Sequence, residues 1–169
     1  RNGLELASDI SYPKGSVKLL RIGQDPKAEP MLHKLVHEVR SQGVFCTGTE
    51  VQVEDRTVGL IAAIQALQGT LFRPNILSIG MDDGFETEEL AAVIAQARMA
   101  RMGVVLRCQA QQKIGMGGLI NVWIRPQPPE WSISVAQAEG NLDLTLLVSL
   151  RLAQRHSMSL RLITTLDNP

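Results

Sequence analysis

The sequence lacks the features that mark several classes of protein. Two cysteines, Cys46 and Cys108, are too few for a disulfide framework in a chain of 169 residues. Their apolar surroundings predict small, buried and reduced side chains in a cytosolic compartment. No apolar run approaches the ~20 residues that cross a bilayer as a helix, and the polar first residues do not form a signal peptide. The chain begins with Arg1 rather than Met, which indicates a fragment of a longer protein.

The chain also lacks a net charge, because its 17 Lys and Arg residues balance its 17 Asp and Glu residues. A chain without a basic field has no general attraction for nucleic acid. The charges are nevertheless uneven: residues 1–97 carry 9 basic and 13 acidic side chains, and residues 98–169 carry 8 and 4. Clustering on solvated faces is the simpler explanation, and the alternative is that the two regions face different partners.

Strand and helix patterns alternate along the chain. Short, continuously apolar runs predict strands, and amphipathic segments that end at glycine predict the helices between them. The predicted strands include VKLLRIG, ILSIG, VVLRC, LINVWIR and LRLITTL. Continuously apolar strands separated by helices are typical of a parallel sheet with helices on both faces. The sequence therefore predicts an α/β fold with a mostly parallel, doubly wound sheet.

The predicted organisation has three parts. Residues 1–15 are polar and end in a turn with Pro13 and Gly15, which predicts a linker. Residues 16–114 are predicted to form an α/β lobe. Residues 115–169 add a strand–helix–strand unit, which either extends the same sheet or begins a second lobe.

Two loops at predicted strand ends are the candidate ligand sites. Gly23 and Asp25 follow the first strand, and Asp82 and Asp83 follow the third. Ligands of doubly wound sheets bind beyond the carboxyl ends of the strands, so these carboxylates could hold a cation or a ribose. Turns are also rich in Asp and Gly for conformational reasons alone, and an ordinary turn is the simpler interpretation.

No catalytic or metal site is predicted. His33 and His37 share a helical face, but a zinc site needs further ligands, and a solvated surface is the simpler interpretation. The glycine-rich stretch at residues 115–118 precedes a strand, so it predicts a connector rather than a phosphate cradle. All histidines fall on predicted helices or helix ends, which leaves no Ser-His-Asp or Cys-His pairing. The residues predict a domain that is not an enzyme and has no cofactor or metal.

Three short motifs carry a resemblance to a known family. A strand opens after Arg-Pro-Asn at residues 73–75, and INVW at residues 120–123 matches an Ile-Asp-Val-Trp strand with Asn121 in place of Asp. GNLDLTLL at residues 140–147 matches a helix start, two residues longer than usual. In this order, and with the similar opening strands VKLLRIG and GVFCTG, they resemble the cytoplasmic C-terminal domain of cation-chloride cotransporters. These cotransporters belong to the amino acid–polyamine–organocation transporters, and the likeness runs from about residue 16 to 166.

The resemblance implies a fold and structural residues. The family's domain has two lobes like universal stress proteins, and its Trp-bearing strand opens the second lobe. Trp123 is therefore expected as a buried structural anchor at the lobe junction, with Pro74 and Asn75 as structural residues where a strand begins. The short connection at residues 109–118 resembles prokaryotic members.

The resemblance also implies a role. It predicts a non-catalytic regulatory and dimerisation domain of a Na-K-Cl-type cotransporter, which carries sodium, potassium and chloride by symport across the cell membrane. Its partners would be its own transmembrane domain and a second copy, with no nucleic acid. The alternative is a free-standing nucleotide-binding protein of the universal-stress type that uses the loops at 23–25 and 80–84. ATP-binding members have Ser or Thr in a glycine-rich loop, and QAQQKIGMGGL lacks both.

Overall fold

The computed structural model describes residues 2–24, 29–108, 118–124 and 142–164, without the side chains of Asn2 and Asp82. The helices in these ranges are α1 (Asn2–Ser11), α2 (Glu29–Ser41), α3 (Arg56–Leu67), α4 (Thr87–Met99) and α5 (Leu142–His156). The strands are β1 (Ser16–Ile22), β2 (Phe45–Val51), β3 (Ile76–Gly80), β4 (Gly103–Arg107), β5 (Leu119–Ile124) and β6 (Ser159–Thr164). The chain divides into two compact units, Arg1–Gln109 and Ala110–Pro169. None of the helices in these ranges combines the length and the apolar character of a membrane-spanning segment.

The strands pair in parallel, as the sequence predicted. β1 pairs with β2, β3 with β4, and β5 with β6. The two strands of each pair are separated in sequence by one of the helices, which is the usual way to join parallel neighbours. The α/β class is confirmed. Hydrogen bonds join the described strands two by two, so one continuous, doubly wound sheet stays a prediction.

Both faces of β1 are covered by helices. On one face Val17 and Leu19 belong to an apolar cluster, here called the α1–α2 cluster, which also contains Leu4, Ala7, Val36, Val39, Val44 and Cys46. On the other face Leu20 and Ile22 pack against the α3–α4 cluster, whose buried members are Leu60, Ile64, Ile79, Val93, Ala97, Ala100 and Met102. A strand covered on both faces favours apolar residues at successive positions, which explains the apolar run in its sequence.

Residues 2–11 form helix α1 and not the linker that the sequence predicted. Leu4 and Ala7 pack into the α1–α2 cluster, and the helix contacts β1 and β3. Gly3 and Ser8 lower the intrinsic helix propensity of the segment, and its apolar face is marked by few residues. Tertiary packing therefore stabilises a helix that the local pattern does not reveal.

Helix starts in the first unit are set by local hydrogen bonds. Asp55 caps α3, because its Oδ1 accepts a hydrogen bond from Val58 N–H at 3.0 Å. The cap of α4 is Glu86. The Glu86 N–H donates to Glu89 Oε2 at 2.8 Å, which is half of a capping box.

Trp123 is exposed, which contradicts the prediction of a buried anchor. In the second unit α5 contacts both β5 and β6, and Val122 and Ile124 are buried. Side chains of a strand alternate between the two faces, so Trp123 points away from its buried neighbours and is 70% exposed. The expectation came from the resemblance, whereas the alternation of side chains along β5 places Trp123 on its exposed face.

Candidate functional site

The loop after β3 uses a carboxylate to hold its own shape. Residues Met81–Asp83 form one turn of 3₁₀ helix, and Asp83 Oδ2 accepts a hydrogen bond from Gly80 N–H at 2.9 Å. Gly84 follows with φ of 76°, in the left-handed region that glycine adopts without strain. A carboxylate engaged in this way favours an ordinary turn over a ligand site at Asp83.

Arg56 of α3 holds the same loop from a neighbouring element. Its Nη1 donates a hydrogen bond to the Asp83 carbonyl oxygen. Its guanidinium carbon lies 4.2 Å from the centre of the Phe85 ring, a cation–π distance. Because residues on both sides of Gly84 contact one guanidinium, Arg56 holds this loop in place, and Phe85 has a structural reason to be there.

The other predicted ligand loop follows β1. Gly23 N–H donates to the Val51 carbonyl oxygen at 3.1 Å, which extends the β1–β2 ladder by one bond. Arg21 Nη1 donates to Glu50 Oε1 at 2.6 Å across the same pair. Asp25 lies outside the described residues, and so does the side chain of Asp82. Of the three predicted carboxylates, the structure therefore gives contacts only for Asp83.

The two histidines of α2 lie on its surface. His33 and His37 are exposed, and His33 Nε2 is 3.9 Å from Glu29 Oε1, one turn earlier. Within the residues that the structure describes, no three His, Cys, Asp or Glu side chains are grouped so that they could hold a metal ion. The glycine-rich stretch at 115–117 lies outside those residues, and Gly118 O accepts from Ser159 N–H at 3.0 Å.

Arg107, at the end of β4, is a contact residue that the sequence did not reveal. Its Nε donates to Ser78 Oγ at 3.0 Å. Its guanidinium also lies against Gly3 of α1, where a Cβ atom would be 2.1 Å from Nη1. A side chain at position 3 would have to displace the Arg107 guanidinium, and no local pattern indicates a contact between opposite ends of the first unit's sequence.

The Arg-Pro-Asn stretch lies where β3 begins. The Asn75 carbonyl oxygen accepts from Gly103 N–H at 2.8 Å, and Arg73 Nη2 donates to the Ala100 carbonyl oxygen at 2.6 Å. Pro74, between them, is half-buried. Both bonds join the entry of β3 to the segment that leads into β4.

The two cysteines have different environments, against the prediction that both are buried. Cys46 is fully buried in the α1–α2 cluster. Burial raises the pKa of its thiol, and the positive charge of Arg40 offsets this only in part. Cys108 is exposed, because it follows the last residue of β4 and leaves the sheet.

We expect the two thiols to react at very different rates. Ellman's reagent at neutral pH should modify Cys108 at the rate of a free thiol, and Cys46 at least about tenfold more slowly, because only an exposed thiolate is attacked. The absorbance of the released thiolate, followed in Cys46→Ser and Cys108→Ser chains, separates the two reactions. A fast phase that persists in folded Cys108→Ser would contradict the burial of Cys46.

Comparisons with known proteins cover the whole chain. Residues 1–116 match the family model described as "Prokaryotic cation-chloride cotransporter, C-terminal domain, 1st", and residues 115–169 match the corresponding "2nd" model. A solved structure, the "cytoplasmic domain of a prokaryotic cation chloride cotransporter", is similar at 33% identity with a TM-score of 0.79. The match covers 96% of this chain and 60% of that chain, so this chain spans less than two thirds of that structure. No curated protein matches.

Proposed function

Because the chain belongs to the family of prokaryotic cation-chloride cotransporter C-terminal domains, we propose that it regulates its transporter and pairs with a second copy of itself. In this proposal it lies on the cytoplasmic side of the cell membrane and contacts its own transmembrane domain. The transmembrane domain carries chloride with sodium and potassium in the Na-K-Cl mode of symport. The observation that carries the proposal is the match of two consecutive family models in chain order.

The domain acts in this proposal through contacts and not through catalysis. Asp83 is engaged in its own turn, and His33 and His37 lie on a helix surface. These observations give no support to a ligand role for the loops at 23–25 and 80–84. Membership of a C-terminal domain family also argues against the alternative of a free-standing nucleotide-binding protein.

The finer fold is also part of the proposal. The strands of the first unit would continue as one doubly wound sheet of the universal-stress type, which the covering of both faces of β1 and the contacts of α1 with β1 and β3 support. Residues 16–114 and α1 would form the first lobe, and residues 115–169 would open a second. Pro74 and Asn75 would be structural residues at the entry of β3, where Pro74 is half-buried and the backbone of Asn75 bonds to Gly103.

Cysteine cross-linking in the full-length transporter tests the dimerisation role. Single cysteines replace exposed helix residues in a Cys46→Ala, Cys108→Ser background, and membranes are treated with a short bifunctional maleimide. We expect at least one position to give a covalent dimer on a denaturing gel. Four positions are tested, one exposed residue on each of α2, α3, α4 and α5: Lys34, Gln65, Met99 and Gln154.

A buried position provides the control for this experiment. Val93→Cys in α4 should not link, because its side chain is fully buried. Cysteines in the membrane segments show whether the transporter is dimeric at all. If those segments link readily and no exposed position of this domain ever does, the domain acts within its own subunit and the dimerisation role is wrong.

A further inference from the structure

Exposed aromatic residues are unusually frequent in a chain that has only six aromatic residues. Tyr12, Phe45, Phe72 and Trp123 are between 41% and 70% exposed, and Leu71, next to Phe72, is 91% exposed. Aromatic side chains offer a large apolar contact area, so their exposure at neighbouring positions marks a contact surface better than scattered aliphatic residues do.

Three of these aromatic residues lie at one edge of the first unit. This amino edge consists of the segments that lead into the four strands: residues 12–15, 42–45, 68–75 and 100–102. The Phe45 and Phe72 ring centres are 5.6 Å apart. Tyr12 Cε2 lies 3.6 Å from the Cβ position of Gly43. The four segments therefore form one surface.

Hydrogen bonds hold the most exposed segment of the amino edge in place. Lys18 Nζ donates to Thr70 Oγ1 at 3.1 Å, just before Leu71. Arg73 Nη2 donates to the Ala100 carbonyl oxygen at 2.6 Å, just after Phe72. Leu71 and Phe72 are thus presented between two anchored positions.

The charges of the amino edge have one sign. Lys14, Arg73 and Arg101 lie in its segments and are exposed, and the four segments contain no Asp or Glu. The nearest carboxylates along the chain belong to Asp9 and Glu38, on the last turns of α1 and α2. Lys14 and Arg101 lie in the turns that follow α1 and α4, where the negative ends of helices favour cations.

The uneven charge of residues 1–97 and 98–169 reflects a separation of charges within the first unit. It does not reflect a large difference in net charge between the two units. Arg98, Arg101 and Arg107 belong to the first unit, which leaves five basic and four acidic residues in residues 110–169. The first unit therefore carries separated charges, with acidic loops such as 81–86 following its strands and basic segments preceding them.

We propose that the amino edge binds the anionic lipid surface of the membrane, with Leu71 and Phe72 inserted among the headgroups. Cations around exposed apolar side chains are the combination that binds anionic interfaces. A second copy would present the same cations and be repelled through this edge. The family places the domain beside a membrane, where such a surface is always available. The proposal goes beyond the regulatory role and does not depend on dimerisation.

Flotation with lipid vesicles tests the proposal on the chain of 169 residues. The probes are phosphatidylcholine vesicles with and without phosphatidylglycerol at about a third of the lipid. We expect binding to the anionic vesicles only, and its loss in about 1 M salt, where the Debye length falls to about 3 Å.

Two double variants separate the apolar and the charged contributions. Leu71→Ala with Phe72→Ala should weaken partitioning about tenfold or more, because both side chains leave water on insertion. Lys14→Gln with Arg101→Gln should weaken it about fivefold per cation removed. The matched controls change exposed residues elsewhere: Met99→Ala with Trp123→Ala, and Lys34→Gln with Arg161→Gln.

A spectroscopic readout distinguishes insertion from mere attraction of charges. An environment-sensitive dye on Leu71→Cys, in a Cys108→Ser background, should shift to the blue when anionic vesicles are added. The same dye on Lys34→Cys should not shift. Binding that the edge variants leave unchanged, or no binding to anionic vesicles, would overturn the proposal. Failure of the dimer cross-links would leave this result untouched, so the two proposals fail separately.

Discussion

Ile64→Ala should lower the free energy of unfolding of the first unit by about 3–5 kcal/mol. Ile64 lies on α3 and is 1% exposed, within the α3–α4 cluster. The cluster draws on two helices and on β1, β3 and β4, so the surrounding side chains cannot all move into the space that is left. A loss in the upper part of the usual range for such truncations is therefore expected.

The matched control for this variant lies on the same helix. Val58 is 59% exposed, so Val58→Ala should change the free energy of unfolding by no more than about 0.5 kcal/mol. Urea melts followed by far-ultraviolet circular dichroism measure both variants. Equal losses for Val58→Ala and Ile64→Ala would mean that α3 buries a different face from the one described.

Val122→Ala should destabilise the second unit more than Trp123→Ala, although tryptophan is much the larger side chain. Val122 is 2% exposed, and its truncation should cost about 2 kcal/mol, because two methyl groups leave a buried site. Trp123 is 70% exposed, so its truncation should cost less than about 1 kcal/mol.

Tryptophan fluorescence reports this comparison locally. Trp123 and Trp131 both belong to residues 110–169, so the emission follows the second unit and not the first. Trp131 remains as the reporter in Trp123→Ala. If Trp123→Ala lowered the free energy of unfolding more than Val122→Ala, Trp123 would be the buried anchor that the resemblance implied.

The fold class could be predicted because the relevant signal is local. β1 is apolar at successive positions since helices cover both of its faces, and this leaves a run that is visible in the sequence alone. Asp55 as the cap of α3 was predictable for the same reason, because its bond spans three residues.

The failures come from contacts between distant parts of the chain. α1 is stabilised by packing on β1 and β3, and the Arg107 guanidinium lies against Gly3, so neither contact could be found in a short window. Cys108 was predicted as buried from its apolar neighbours and Trp123 from the resemblance, and neither argument tells which face of a strand is covered. Asp83 is not such a failure, because its bond to Gly80 spans three residues and an ordinary turn was the simpler interpretation from the sequence.

Helix α1 also determines how a mechanical load enters the first unit. It precedes β1, so a pull on Asn2 acts first on side-chain packing and only later on the hydrogen-bonded ladder of β1 and β2. Its 10 residues span about 15 Å as a helix and about 33–36 Å when extended. An isolated helix of this length is marginal in water, so a detached α1 would unwind. Tension could therefore lengthen this segment by about 20 Å while every strand pair stays intact.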